Sequence, residues 1–158
     1  MSVGKKSIVF AASILGSLAA GVVGSLATTP NIPTWYAALE KPLFNPPNGV
    51  FGPVWSVLYI LMGVALALVI IKVTNASKKQ AYIWYGTQLA LNTIWSVVFF
   101  GLHAPWVGVV VILALIASIV VTMREFYRIK KVSMWLLVPY LAWVSFATYL
   151  TVGVALLN

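Results

Sequence analysis

Charged residues are scarce in this 158-residue chain: 8% of it is Asp, Glu, Lys or Arg, and only two of these residues are acidic. Cysteine is absent, and there is a single histidine. Without cysteine the chain has no disulfide framework and no thiolate metal site. A soluble domain has about a quarter charged residues, and a chain that is 62% apolar lacks the polar surface such a domain exposes. The composition therefore predicts an integral membrane protein.

The few charges are strongly unbalanced, because ten Lys or Arg residues give the chain a net charge of +8. Such an excess occurs in nucleic-acid-binding proteins. In so apolar a chain it is more typical of the cytoplasmic ends of membrane helices. We therefore expect the lipid bilayer, and no nucleic acid, among the partners of this protein.

Five long runs contain no charged residue and no histidine: residues 8–27, 50–71, 81–102, 106–123 and 134–157. Each run has 18 to 24 residues, and a helix of that length crosses roughly 30 Å of hydrocarbon. We predict an all-α, polytopic membrane protein, a five-transmembrane-helix bundle formed by one domain over residues 1–158. Residues 28–49 would then form a long external loop between the first two helices.

The N-terminal run allows a second interpretation, because Lys5 and Lys6 precede it and Ser25-Leu26-Ala27 resembles a signal-peptide cleavage site. The run has 20 residues, whereas the apolar core of a signal peptide has about 7–15. We therefore expect a retained helix. It carries small residues at four-residue spacing, a pattern that favours close helix contact, namely Ala12, Gly16, Ala20 and Gly24. This stripe could join two copies in a homodimer or pack inside one copy.

The distribution of cations predicts the orientation of the helices. Five spans place nine of the ten cations on the same side as the N-terminus: Lys5, Lys6, Lys72, Lys78, Lys79, Arg124, Arg128, Lys130 and Lys131. Only Lys41 lies on the other side. Cytoplasmic loops carry the excess of Lys and Arg, so the N-terminus is predicted to be cytoplasmic and the C-terminus external.

The 28–49 connection contains five of the eight prolines and several aromatic residues. Proline stiffens a loop and keeps it from forming helix. A stiff aromatic loop of this length is typical of a lid over a binding site, although it could also serve only to plug the bundle. Glu40 and Lys41 in this loop are interpreted as a loop ion pair or as solvated charges.

Polar and aromatic residues at helical spacing indicate a cavity inside the bundle. The third run presents Gln88, Asn92, Trp95 and Phe99 on one face. An amide or indole N–H in hydrocarbon needs a partner, so this face points either at a ligand or at another helix that it hydrogen-bonds. The second run presents Phe51, Trp55, Tyr59 and Met62, and the fifth presents Pro139, Trp143, Ala147 and Leu150. Stripes of this kind are usually core, but three beneath one loop favour a ligand site. Pro139 is expected to bend its helix beside that site.

Several chemical classes lack their usual residues. No ionisable side chain lies within a predicted span, whereas ion-coupled transporters usually need one. No metal-ligand cluster or nucleotide loop is present, so no metal site is predicted. His103 falls in the turn between the third and fourth helices, where an interfacial role is favoured over a role as haem ligand.

Three motifs in order resemble the signature of the TspO/MBR family, which comprises the tryptophan-rich sensory proteins and the translocator or peripheral-type benzodiazepine receptor. The first runs Trp35-Tyr36-x-x-Leu39-x-Lys41-Pro42, Pro46-Pro47 and Phe51-x-Pro53-x-Trp55. The second is Ala90-Leu91-Asn92-x-x-Trp95-Ser96-x-x-Phe99-Phe100. The third is Pro139-Tyr140-Leu141-x-Trp143-x-x-Phe146-Ala147. The similarity covers essentially the whole chain.

This resemblance implies a protein of the bacterial cell membrane, commonly a homodimer, with a pocket capped by the first loop. It implies binding of porphyrins such as protoporphyrin IX, of haem, and of benzodiazepine and isoquinoline ligands, with no required cofactor. Matched to the motifs, the ligand-binding positions would be Tyr36, Pro46, Phe51, Trp55, Tyr59, Asn92, Trp95, Phe99, Trp143, Ala147 and Leu150. No basic residue follows Lys131, so the sterol motif near the end of the family's fifth helix cannot be carried over, and no dedicated sterol site is expected.

The principal functional hypothesis is a membrane receptor or sensor for a flat tetrapyrrole. An alternative is light- and oxygen-dependent porphyrin degradation, for which the resemblance implicates Trp55 and Trp143 as redox-active residues. A third is tetrapyrrole transport, which the lack of an intramembrane charge disfavours.

Overall fold

The computed structural model describes residues 1–158 and contains helices but no β-strand, so the predicted all-α class is confirmed. Five long helices and one short helix follow each other along the chain: α1 Val3–Asn31, α2 Asn48–Ile71, α3 Lys79–Ser96, α4 Pro105–Ile129, α5 Lys131–Trp135 and α6 Val138–Leu157. A π-helical turn, Ile32–Tyr36, continues α1, and a second one, Val97–Gly101, continues α3.

Four helical segments are long and apolar enough to cross a membrane: Val3–Tyr36, Asn48–Ile71, Pro105–Ile129 and Lys131–Leu157. Helix α3 is less apolar, because buried Gln88, Asn92 and Ser96 interrupt it. It packs between α1 and α4. The polar face predicted for α3 therefore points into the bundle, where its amides find partners.

The first connection is shorter than predicted, because α1 and its π-helical turn continue to Tyr36. Only residues 39–47 lie outside helices, so the prediction of an irregular loop over 28–49 was wrong. Pro30 is accommodated inside α1, and nearby side chains bond helix carbonyls in this segment: Asn31 Nδ2 donates to the Ala27 carbonyl at 2.8 Å, and Thr34 Oγ1 donates to the Pro30 carbonyl at 3.0 Å. Pro30 itself leaves the Leu26 carbonyl without its helix donor, and these side chains bond neighbouring carbonyls rather than that one.

The last apolar run is also divided differently from the prediction. Helix α5 ends at Trp135 and α6 begins at Val138, so the run 134–157 contains a break. Pro139 lies in the first turn of α6 rather than in a helix interior. A proline there loses no intrahelical hydrogen bond, and the predicted bend around Pro139 was therefore wrong.

Glycine allows α1 and α2 to approach closely. A β-carbon on Gly63 of α2 would lie 2.5 Å from Ile14 Cα and 2.9 Å from the Ser13 carbonyl oxygen of α1. The small-residue stripe of α1 is divided between two environments: Gly24 is buried against Ser96 of α3, whereas Gly16 has open space beside it. Part of the stripe therefore packs inside one copy of the chain, and homodimerisation stays a prediction.

The 39–47 loop is fastened to the end of α6. Asn158 Oδ1 accepts from the Glu40 backbone N–H, and Asn158 Nδ2 donates to the Glu40 carbonyl, both at 3.0 Å. Tyr149 donates to the Leu43 carbonyl at 2.9 Å, and Pro42 packs so closely on Gly153 that a β-carbon there would lie 2.6 Å from Pro42 Cβ.

Lys41, in the same loop, is not paired with Glu40, so the ion pair considered from the sequence does not form. Its Nζ donates to the carbonyls of Ala37 and Leu39 and lies 5.0 Å from the centre of the Tyr36 ring. A cation at the end of a helix compensates the unpaired carbonyls there. Lys41 thus closes the helical segment from which the loop departs.

Candidate ligand-binding cavity

A cavity of about 280 Å³ lies inside the bundle next to the 39–47 loop. Helices α1, α2, α3 and α6 form its walls, together with both π-helical turns. Ten of the eleven predicted ligand-binding residues line it: Tyr36, Phe51, Trp55, Tyr59, Asn92, Trp95, Phe99, Trp143, Ala147 and Leu150. Pro46, the eleventh, does not line the cavity. The structure therefore brings together residues from three separate sequence motifs, and their role in binding stays a prediction.

Aromatic rings form most of the wall contributed by α2 and α3. Trp55 and Trp95 have ring centroids 6.5 Å apart, and Trp95 stacks on Phe99 at 5.6 Å with an interplanar angle of 16°. On the α6 side Trp143 meets Phe51 edge to face at 6.2 Å. Indole and phenyl faces offer extended apolar contact to a flat guest. Such walls suit a planar aromatic ligand better than a chain-like one.

The α1 wall was missed by sequence reasoning because it contains no aromatic residue until the π-helical turn. It consists of Leu18, Gly21, Val22, Ser25, Thr28, Thr29 and Ile32. A signal was present: Gly21, Ser25, Thr28 and Ile32 recur at spacings of four, three and four residues, which defines one helix face. Gly21 is needed here, because a β-carbon would collide with the Tyr59 ring.

A neutral hydrogen-bond network closes the inner end of the cavity, away from the loop. Tyr59 donates to Asn92 Oδ1 at 2.6 Å, Asn92 Nδ2 donates to the Tyr140 hydroxyl at 2.9 Å, and Tyr140 donates to Gln88 Oε1 at 2.8 Å. Gln88 Nε2 then reaches Met62 Sδ at 3.8 Å. Asn92 thus lines the cavity, but its carboxamide is hydrogen-bonded to two tyrosines on other helices. This is the second of the two alternatives given by the sequence, in which the polar face of α3 bonds another helix.

Two indole N–H groups beside the cavity have no hydrogen-bond partner: Nε1 of Trp95 and Nε1 of Trp143, both buried. Among the lining hydroxyls, those of Ser25, Thr28 and Thr151 donate to carbonyls of their own helices. A buried donor without a partner costs about 1–3 kcal/mol. Both indoles belong to residues that line the cavity, and no ionisable side chain other than tyrosine lines it.

Trp35 and His103 lie outside the lining. Their rings stack at 4.5 Å with an interplanar angle of 13°, and His103 Nε2 lies 2.9 Å from Asn31 Oδ1. His103 is exposed in the turn before α4. It fastens that turn to the end of α1 and does not reach the cavity, in line with the interfacial role favoured from the sequence. No group of side chains suited to holding a metal ion occurs in the structure.

The fold and the cavity define a helical membrane protein that encloses an aromatic chamber among its helices. A family model described as TspO/MBR family matches residues 13–157. The chain belongs to the TspO/MBR family, as its motifs predicted.

Curated relatives agree with this assignment. The chain is 45% identical to the tryptophan-rich protein TspO of Archaeoglobus fulgidus over 148 residues, which cover 93% of this chain and 95% of the relative. It is 35% identical to the protein CrtK of Rhodobacter capsulatus, covering 94% and 92% of the two chains. It is 37% identical to the human translocator protein, covering 73% and 70%.

Proposed function

We propose that this protein is a membrane receptor or sensor that binds a flat tetrapyrrole, such as protoporphyrin IX or haem, in the cavity. Benzodiazepine and isoquinoline compounds would bind as smaller aromatic ligands of the same site. The observation that carries the proposal is a cavity with aromatic walls, two of whose lining residues, Trp95 and Trp143, carry buried indole N–H groups without a partner. A ligand with acceptor atoms near both indoles would satisfy them.

The volume bears on how a tetrapyrrole would bind. Pockets that enclose drug-sized ligands measure about 300–1,000 Å³, and this cavity has about 280 Å³. A compact aromatic ligand would fit inside, whereas a macrocycle would extend beyond the walls. Since no cation lines the cavity, the carboxylates of a porphyrin would be the part left outside. Haem would bind through its faces, since His103 lies outside the lining.

We further propose that all five long helices cross the membrane, with a cytoplasmic N-terminus and an external C-terminus, in a bacterial cell membrane. Helix α3 together with its π-helical turn covers 79–101, and α3 packs along α1 and α4, two of the candidate spans. The nine-to-one distribution of cations supports the orientation. Homodimerisation belongs to the same proposal, with the open face around Gly16 as a contact surface.

The receptor proposal is tested by titrating the purified protein with protoporphyrin IX. Saturable quenching of tryptophan fluorescence is expected. Changing Trp95→Phe or Trp143→Phe keeps an aromatic ring and removes the free N–H, so each is expected to weaken binding about threefold to tenfold, the value of roughly one hydrogen bond. Trp106→Phe is the matched control, because Trp106 is 58% exposed and does not line the cavity.

Unchanged affinity in the double variant Trp95→Phe/Trp143→Phe would contradict the assignment of the two indoles. Lack of saturable quenching in the parent protein would contradict the receptor proposal as a whole.

A second candidate function is porphyrin photo-oxidation, with Trp55 and Trp143 as electron donors to the excited ligand. Both residues line the cavity, Trp55 on α2 and Trp143 on α6, which supports contact of both indoles with a bound ring. The test is loss of porphyrin absorbance under light and oxygen. Equal decay with the parent protein and with Trp55→Phe/Trp143→Phe would contradict this function while leaving binding intact.

A further inference from the structure

We propose that ligands enter and leave the cavity sideways from the bilayer, through an opening between α1 and α2, while the 39–47 loop stays in place. This inference rests on the proposed function, because it concerns the route to the same cavity. In this proposal neither the 39–47 loop nor the π-helical turn that precedes it acts as a lid. The path is defined by residues of α1 and α2 that line the cavity and are exposed.

The opening is visible in the exposure of the lining residues. Val22, Ser25 and Thr29 of α1 and Gly52 and Ser56 of α2 all line the cavity and are all exposed. All five lie on α1 and α2, so this is the side on which the cavity reaches the protein surface. The residues contributed by α3 and α6 include no exposed member. The cavity is thus open between α1 and α2 and closed on the opposite side.

Side-chain size explains why the two helices separate at this level. Nearer the inner end, Gly63 lets α1 and α2 touch backbone to backbone, and Gly21 receives the ring of Tyr59. Between Tyr59 and the loop, α2 presents Gly52 and Ser56, which are too small to fill the space that remains. A β-carbon on Gly52 would meet no atom within 4 Å. The opening therefore begins on the side of the Tyr59 ring that faces the loop.

The chemistry of the opening suits a membrane rather than water. Ser25 donates its hydroxyl proton to the Val22 carbonyl at 2.7 Å, and Ser56 donates to the Gly52 carbonyl at 2.9 Å. Hydroxyls bonded within their own helix tolerate hydrocarbon. The same region of α1 exposes Val23 and Leu26, at 52% and 72%. A flat apolar ligand dissolved in the bilayer thus reaches the opening without crossing a polar barrier.

The loop, by contrast, is held to α6 at three points, and the Tyr36 hydroxyl donates to Asn45 Oδ1 of the loop at 2.7 Å. Asn158 pairs with both backbone groups of Glu40, Tyr149 donates to the Leu43 carbonyl, and Pro42 packs on Gly153. Opening the cavity at the loop would require these contacts to break. The side opening requires no contact to break, because it is present in the structure.

The test compares two glycines of α2 that both face open space. In vesicles, protoporphyrin IX is mixed with Gly52→Leu, and the rates of tryptophan quenching and of its reversal are measured. A leucine in the opening is expected to slow association and dissociation at least tenfold. Gly49→Leu is the matched control, because Gly49 also has open space beside it but does not line the cavity. Its rates are expected to equal those of the parent.

A second arm loosens the loop with Asn158→Ala/Tyr149→Phe, which is expected to leave both rates within about twofold of the parent. Faster exchange in this variant, or parent-like rates in Gly52→Leu, would overturn the side route while binding itself persists. Faster dissociation from Gly52→Leu would also overturn it, because the leucine would then be competing inside the cavity. If the parent shows no saturable quenching, the proposed function fails, and the route fails with it.

Discussion

Replacing Gly63 by alanine is expected to destabilise the protein by about 3 kcal/mol, the upper part of the usual range for overpacking. The new β-carbon would lie 2.5 Å from Ile14 Cα and 2.8 Å from the Ile14 backbone nitrogen. These are backbone atoms of α1, so no side-chain rotation can relieve the collision and the two helices must separate. For a chain of this size that loss lowers the thermal midpoint by roughly 6–12 °C, measurable by circular dichroism in detergent.

Gly86→Ala is the matched control for this substitution. Gly86 also lies inside a long helix, α3, but a β-carbon there would meet no atom within 4 Å. Alanine restricts the unfolded chain and favours helix over glycine by about 0.5–1 kcal/mol. The midpoint of Gly86→Ala is therefore expected to stay level or rise. Equal behaviour of the two variants would show that the α1–α2 contact is looser than the structure indicates.

Asn92→Leu is expected to cost about 2 kcal/mol, the penalty for a buried hydroxyl left without a partner. Asn92 Oδ1 accepts the proton of Tyr59, and Asn92 Nδ2 donates to the hydroxyl of Tyr140. Leucine has nearly the same size but can do neither. The thermal midpoint should fall by roughly 4–8 °C, and the Tyr59 ring should lose its fixed position at the inner end of the cavity.

A double-mutant cycle separates the network from simple packing. In Tyr59→Phe/Asn92→Leu the unpaired hydroxyl of Tyr59 is gone, while Tyr140 still donates to Gln88. Replacing both partners of a buried hydrogen bond by apolar groups is often nearly neutral. The double variant is therefore expected to be more stable than Asn92→Leu alone. Additive losses would mean that the Tyr59–Asn92 bond contributes little.

The sequence predicted the helical class because a long apolar run in hydrocarbon must hydrogen-bond its own backbone groups, and a helix does this within one segment. It also predicted most of the cavity, since aromatic residues at helical spacing in α2, α3 and α6 stand out against Leu and Val. Nine of the twelve residues in these stripes line one cavity, together with Tyr36, which the family motif supplied. Pro46 was included only through the family motif, and it lies in the loop outside the lining.

Other features depend on contacts that no single segment reveals. The prolines of residues 28–49 predict that most of this connection is not helical, but the helical segment continues past Pro30 to the π-helical turn Ile32–Tyr36, as membrane helices can where neighbouring groups take over the freed backbone bonds. The start of α6 at Val138 reflects a break at 136–137 that the uniformly apolar sequence does not mark. The α1 wall was missed because its small residues contribute by leaving space for the cavity, not by a contact that a sequence pattern reveals.

The two π-helical turns have a consequence for how the cavity wall is built. A residue in an α-helix advances by about 100° around the axis, so one additional residue in a turn rotates everything beyond it by that angle. The turn Val97–Gly101 contributes Phe99 and Phe100 to the cavity wall. The turn Ile32–Tyr36 contributes Ile32 and Tyr36. Each turn rotates the residues that follow it around the helix axis, so the number of residues in the turn helps to set the direction in which the outer aromatic rings point.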